Sequence, residues 1–362
     1  MKKVRWAFLR AEISLNESQL ISCRKGVVFP RPGRILIASL LFLAVGLLQE
    51  GSAQTQKLKL AYVSSSGATA TPWVTKEAGL FKKNDVEVEV VFIPGGGSTT
   101  IQALLAGDID LAHVAGNAAM EANLSGADTV LIASVLNRPV GFYLMGQPGI
   151  KTVEELRGSH VAITRFGTAA DFLTRIALKR FQLSPERDVT LVQLGGIPQV
   201  AAGLEAKAVK AGFVSSPLNL NLIDMGYVVL LDFGRTLIFP HTTVVARKSV
   251  MNQKDQAFRA AVRAMAEGIK VYRTQRDFTL KVLDKYMRTQ DRKKLAQAYD
   301  TYAPHLEKVP YVDLKGVENV LMEIDPRHPG AKNRKPADFV DHRYIKALDE
   351  SGFFRDLYRE GS

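Results

Sequence analysis

Cysteine is almost missing from this chain: Cys23 is the only one in 362 residues. An internal disulfide framework is therefore excluded, and no thiolate ligand or cysteine nucleophile is available beyond residue 23. Histidine is also scarce, and the six (113, 160, 241, 305, 328 and 342) show no His-x-x-x-His or comparable spacing, so no metal centre is expected. There is no Gly-x-x-x-x-Gly-Lys-Ser/Thr phosphate loop. The stretch Gly95-Gly96-Gly97 fails as a dinucleotide fingerprint because Thr100 stands where the third glycine belongs. The apolar run Ile35–Leu48 has 14 residues, short of the roughly 20 that a membrane-spanning helix needs.

What is present describes a globular protein: 46% apolar and 23% charged residues, over a length sufficient for a large core and two lobes. Arg31 and Arg34 precede the apolar run and Gly51-Ser52-Ala53 follows it, the layout of a secretory signal with cleavage after Ala53. Thirty residues ahead of the run are long for a signal, and a translation start near Val27 or Val28 is the corresponding expectation. No cysteine follows the run, so a lipid anchor is not expected and the exported protein is expected to be free in the periplasm. The net charge is +12, and loss of residues 1–53 leaves 40 basic against 33 acidic residues, or +7. These charges are dispersed and intermixed. They favour anionic partners weakly and give no reason to expect nucleic acid.

The sequence partly repeats at an offset of 100 residues. Gly95/Gly195, Gly96/Gly196, Leu104/Leu204, Ala106/Ala206 and Val114/Val214 coincide, and Leu60-Ala61-Tyr62 meets Val161-Ala162-Ile163 at an offset of 101. The order of elements repeats as well. In the first copy, apolar patterning predicts strands over 58–63, 86–92 and 111–114. It predicts one helix from Thr71, with Thr71 as cap and Gly79 as stop, and another that Ser98 caps and Gly107 ends. In the second copy it predicts strands over 160–164, 189–194 and 211–214 and helices over about 168–181 and 198–206.

Each copy is thus a β-α-β-α-β unit, which implies a mostly parallel sheet flanked by helices. The expected fold class is α/β, with two such lobes facing each other and the ligand cleft at their strand ends. Residues 54–145 are expected to form the first part of lobe 1, 146–241 lobe 2, and 242–362 the return to lobe 1. The segments 140–147 and 242–247 are expected to be the two hinge crossings, and the amphipathic helices from Lys254 to Glu323 to pack on lobe 1.

The segments PWVTKEAGLF (72–81), GGGS (95–98), ALLAGDID (103–110) and VEELRG (153–158), with FVDHRYIKALDESGF (339–353), resemble in order and spacing the periplasmic nitrate/taurine/sulfonate-binding proteins of ABC importers and their thiamine-pyrimidine relatives. The resemblance spans about residues 57–355. It implies a type II periplasmic-binding fold, a small-molecule ligand, an ABC permease with a separate ATPase subunit as partners, and no cofactor. A monomer is expected. Lys210 departs from the pattern at the place that matches Asp110. Fungal thiamine-pyrimidine synthases, an enzyme class on the same fold by resemblance, use a cysteine-rich motif with histidine and pyridoxal phosphate. The chain beyond residue 53 has no cysteine, so an enzyme is not expected. A sensor would need a fused signalling helix, and none is evident.

Candidate ligand contacts follow from the strand ends. Ser65, Ser66, Gly67 and Thr69 come after the first strand, and Gly97 and Ser98 after the second. Asn117 follows the third, and Ser215 and Ser216 occupy the matching place in the second copy. Arg165 ends the first strand of the second lobe and Gly167 and Thr168 start the helix after it, where a guanidinium and helix N–H groups can hold a carboxylate or sulfonate. Ordinary caps and turns, or a surface ion pair for Arg165, would use the same residue types. Trp73, Tyr143, Phe166 and Phe213 are candidates for stacking on a flat ligand or for core packing.

Overall fold

The computed structural model describes residues 57–359 apart from 186, 290 and 325–327; the expected signal segment lies outside them. The first half runs β1 (Lys57–Tyr62), α1 (Thr71–Glu77), β2 (Glu87–Phe92), α2 (Gly97–Ala106), β3 (Leu111–Val114), α3 (Gly116–Leu124) and β4 (Thr129–Leu136). The chain then crosses over 137–141 into β5 (Phe142–Gly146). The second half follows: β6 (His160–Ile163), α4 (Ala169–Arg180), β7 (Thr190–Gln193), α5 (Ile197–Glu205), β8 (Ala211–Ser215), α6 (Leu218–Asp224) and β9 (Val228–Asp232). A second crossing over 237–241 returns it to β10 (Thr242–Arg247). Four larger helices come next: α7 (Asp255–Thr274), α8 (Arg276–Met287), α9 (Arg292–Tyr302) and α10 (Leu314–Ile324).

Two five-stranded sheets result, ordered β2-β1-β3-β10-β4 and β7-β6-β8-β5-β9. In the first, β1 is parallel to β2 and β3, whereas β10 is antiparallel to both β3 and β4. The second repeats this, with β6 parallel to β7 and β8 and with β5 antiparallel to β8 and β9. The duplicated, mostly parallel two-lobed α/β architecture is thus present. Each sheet also receives, as its fourth strand, the segment that has just crossed from the other.

That exchange corrects the expected hinge. Phe142–Gly146 and Thr242–Arg247 are paired on both sides within a sheet and so cannot be free connectors. The lobe boundary also moves ahead of Phe142. The crossings proper are Asn137–Gly141 and Leu237–His241, each carrying a proline. They run side by side: Phe239 N–H donates to the Asn137 carbonyl at 2.9 Å and His241 N–H to that of Leu136 at 3.0 Å. The Asn137 side chain fastens the pair to the C-terminal segment, donating to the Tyr311 carbonyl at 2.9 Å and accepting from Asp313 N–H at 3.0 Å.

Two helix starts also differ from expectation. Ala70, not Thr71, caps α1, and Thr71 lies buried in the first turn. Gly96 caps α2 with no side-chain bond, which leaves Ser98 in the first turn. A glycine at φ +85° turns the chain sharply enough to start the helix without a hydroxyl cap.

Helix α7 lies on lobe 1, where Gly268 brings its backbone so close to Thr75 of α1 that a Cβ would collide with the hydroxyl. The later helices do not stay on lobe 1 alone. Tyr302 of α9 donates to the Ser216 carbonyl at 3.3 Å, and Lys179 of α4 meets Glu323 of α10 at 2.7 Å.

Candidate functional site

The carboxyl ends of β1, β2 and β3 face those of β6, β7 and β8 across a cavity of about 650 Å³. The loops that leave these strands supply most of its wall. From lobe 1 come Ser64–Ser66 and Thr69 after β1, Pro94–Gly97 after β2, and Val114 and Ala115 at the end of β3. From lobe 2 come Thr164 and Thr168–Ala170 after β6, Gly195–Gln199 after β7, and Ser215–Leu218 after β8. Phe142, Phe213 and His241 line the hinge side, and Met287 at the end of α8, Thr289 after it and Lys294 in the first turn of α9 complete the wall.

Three helices of nine to twelve residues, α2, α4 and α5, begin in this wall, and none has a side-chain cap bond. Their first N–H groups therefore bring the positive ends of three helix dipoles to one cavity. Thr168 uses its hydroxyl elsewhere, donating to the Arg165 carbonyl at 2.6 Å and meeting the Thr164 hydroxyl at 2.9 Å. The Ser66 hydroxyl accepts from Ala68 N–H at 3.2 Å, and Thr69 donates to the Ser64 carbonyl at 2.6 Å. These bonds fix the loop shapes.

Among the described residues, Lys294 is the only charged side chain in the wall, and its ammonium lies 3.4 Å from Asp291. Among the described residues no carboxylate lines the cavity. His241 is buried; desolvation first, and the neighbouring His113 second, pull its pKa down to about 3, so it is neutral. Its Nδ1 is 3.0 Å from the Thr242 hydroxyl, and its ring lies 4.2 Å from that of Phe142. No group of three or more His, Cys, Asp or Glu able to hold a metal occurs among the described residues. Without an acid, base pair or metal cage in the wall, the arrangement can enclose a solute and hold it by N–H groups, hydroxyls and apolar surface.

Of the residues singled out from sequence, Ser65, Ser66, Thr69, Gly97, Thr168, Ser215 and Ser216 stand in the wall. The other five stand behind it or at its rim. Gly67 is packed under the Tyr302 ring and its carbonyl accepts from Tyr272. Ser98 is in α2, one residue past the wall, while Arg165 is exposed at the rim, its guanidinium carbon 3.5 Å from where a Cβ of Gly95 would sit. Asn117 is fully buried and donates across the cleft to the Gly167 carbonyl at 3.0 Å. Asn117 and Gly167 thus join the lobes directly.

Of the four aromatic candidates only Phe213 lines the cavity. Trp73 stacks in the core on Tyr286 at 5.0 Å, and Phe166 lies beneath Arg175. Phe92, Phe142, His241, Met287 and Lys294 were not among the candidates. Phe142 and His241 enter at the amino ends of the antiparallel strands β5 and β10, which face the cleft beside the carboxyl ends of their parallel neighbours. Gly195 and Gly196 were visible in the repeat, opposite Gly95 and Gly96.

The sequence profile of the NMT1-like family matches residues 51–281. A putative binding protein, YtlA, from Bacillus subtilis (strain 168) is 22% identical over 205 residues, covering 55% of this chain and 61% of that relative, so the match spans about three fifths of the relative's length. Among solved structures, a Bordetella bronchiseptica RB50 protein superposes with a TM-score of 0.70 at 18% identity, covering 82% of this chain and 97% of that one. The periplasmic aliphatic sulphonate binding protein SsuA from Escherichia coli gives 0.65 at 20% identity, with 79% and 92% covered. The periplasmic nitrate-binding protein NrtA from Synechocystis PCC 6803 gives 0.62 at 15%, with 85% and 90% covered. At these identities the likeness is one of fold.

Proposed function

The chain belongs to the NMT1-like family, and from that premise we propose that it is the periplasmic solute-binding component of an ABC importer, without catalytic activity of its own. Its role is to capture a small organic molecule with an anionic group and deliver it to a permease driven by a separate ATPase. The observation that carries this reading is the cavity itself: two matched sets of strand ends, joined by two paired crossings, surround it with N–H groups and hydroxyls and no reactive pair. Sulphonate- and nitrate-binding proteins among the similar structures support it. Ligand contacts are proposed for Ser65, Ser66, Thr69, Gly97, Thr168, Ser215 and Ser216, with the anionic group near the starts of α2, α4 and α5.

A thermal-shift screen of organic carboxylates and sulfonates checks the reading. A true ligand at about 100 times its dissociation constant stabilises the folded state by about 2.7 kcal/mol. Thr168→Val should then abolish most of that shift, and loss of the hydroxyl's bonds to the Arg165 carbonyl and the Thr164 hydroxyl should lower the stability of the free protein by about 1 kcal/mol. Stabilisation that Thr168→Val leaves intact would move the anionic group away from α4.

A further inference from the structure

The wall's chemistry narrows the ligand class beyond an organic anion. We infer that the ligand is a ring-bearing monoanion, an aromatic carboxylate in chemical class, in place of an inorganic oxyanion or a short aliphatic sulfonate. This rests on the solute-binding reading above and adds the identity of the apolar part.

Size is the first observation. About 650 Å³ is within the roughly 300–1,000 Å³ that encloses a drug-sized molecule, and about twenty times the ~30 Å³ share of one water. A four-atom oxyanion would touch only a small part of such a wall.

The second observation is an aromatic corner on the hinge side. Phe142 lies 5.4 Å from Phe213 with their planes tilted by 30°, and 4.2 Å from His241 at 49°. Phe213 is backed in turn by Phe233 at 5.4 Å. These rings are held by one another and by strand pairing and are largely buried, so what they offer a flat guest is a narrow, fixed apolar edge of the wall. Phe92 faces the same cavity from β2 and is 48% exposed, apolar surface that folding leaves uncovered. A bound ring would cover it.

Charge is the third observation. The wall holds one cation, Lys294, no acid, and three uncapped helix starts, which suits one negative charge. Asp291 already neutralises part of Lys294, and the other cation nearby, Arg165, stands at the rim outside the wall. His241, neutral and against Phe142, extends the aromatic surface and adds no charge.

Calorimetry on the purified protein tests this with benzoate, 3-phenylpropionate, benzamide, acetate, methanesulfonate, taurine and nitrate. The aromatic acids should bind about a hundredfold tighter than acetate, the effect of burying a ring, and at least about tenfold tighter than neutral benzamide. Phe92→Ala should weaken the aromatic acids by about tenfold and, since Phe92 is half exposed, leave the melting temperature within about 2 °C. Acetate or methanesulfonate binding as tightly as benzoate would overturn the inference, as would equal binding of benzamide or an unaltered affinity in Phe92→Ala. If only the small anions bind, the aromatic class falls and the solute-binding reading stands. If no compound binds at about 10 mM, a concentration that detects even weak fragment-sized ligands, both fall.

Discussion

Two glycines show how residues one strand apart carry unlike constraints. A Cβ on Gly67 would sit 2.5 Å from the Tyr302 ring, behind the wall, so Gly67→Ala should cost about 1–3 kcal/mol of stability and weaken ligand affinity much less, through the Tyr302–Ser216 bond alone. At Gly96, φ is +85° and a Cβ would sit 2.8 Å from the Thr168 methyl group on the opposite lobe. That clash arises only where the lobes meet. Gly96→Ala is therefore expected to weaken binding by about tenfold or more, beyond a backbone strain of about 1–3 kcal/mol. Paired denaturant melts and titrations of the two variants separate the effects, and equal losses of affinity would contradict this placement.

The buried histidines give a pH dependence of definite sign. Burial holds His113 and His241 at about 3, whereas an unfolded histidine titrates near 6.5. Below pH 6.5 the unfolded chain takes up protons that the native state refuses, so stability falls as pH drops toward 3, by about 1.4 kcal/mol per pH unit for each. Urea midpoints at pH 7 and pH 5 should show the fall, and His113→Gln should remove about half of it. A flat profile between those values would refute the neutral burial of both rings.

At the scale of elements, α4 organises its own approach loop. Asp171 in its first turn accepts from Gly167 N–H at 3.0 Å and from Arg175 Nε at 2.6 Å, and the carbonyl of that same Gly167 faces Asn117 across the cleft. Both partners of the Asp171–Arg175 pair are largely buried. Asp171→Asn removes the carboxylate from a desolvated guanidinium and should cost about 3 kcal/mol by urea denaturation. It should also weaken ligand binding, because the Gly167 carbonyl loses its alignment. A loss under about 0.5 kcal/mol would show that the loop is held by other contacts.

Elements of this kind were legible where local chemistry decides them. The strand expected over 111–114 has its observed bounds, and the helix expected over about 168–181 runs one residue shorter at each end, Ala169–Arg180. The caps of α1 and α2 were misplaced because backbone conformation at Ala70 and Gly96 starts those helices. Half-buried strands and connecting strands also share one alternating pattern. The segment 140–147 therefore has the pattern of a bridge, whereas its residues Phe142–Gly146 pair with β8 and β9.

For the molecule as a whole, the paired crossings Asn137–Gly141 and Leu237–His241 are the places where backbone rotation would move one lobe against the other. Opposing that motion are the Asn117–Gly167 bond at the cleft and the Lys179–Glu323 pair beyond it. Small-angle scattering of the free protein should give a larger radius of gyration than with saturating ligand, and Asn117→Ala should widen the gap. Loss of that one hydrogen bond, about 1 kcal/mol, should weaken binding roughly fivefold. Identical scattering with and without ligand would mean that the lobes do not open.

The amino-acid order alone determined the β-α-β-α-β unit and its doubling, because periodicity, glycine stops and strand length are settled within a dozen neighbouring residues. It also pointed to Ser65, Ser66, Thr69, Thr168, Ser215 and Ser216, which follow from where strands end, but not to Thr164, Thr242 or Thr289 of the same wall. Only the tertiary structure decided that each sheet takes in a strand newly arrived from the other, that Phe142, Phe213 and His241 form one corner, and that Asn117 reaches Gly167. Those contacts join residues dozens of positions apart or more, and their energies come from pairing and packing that no local pattern encodes.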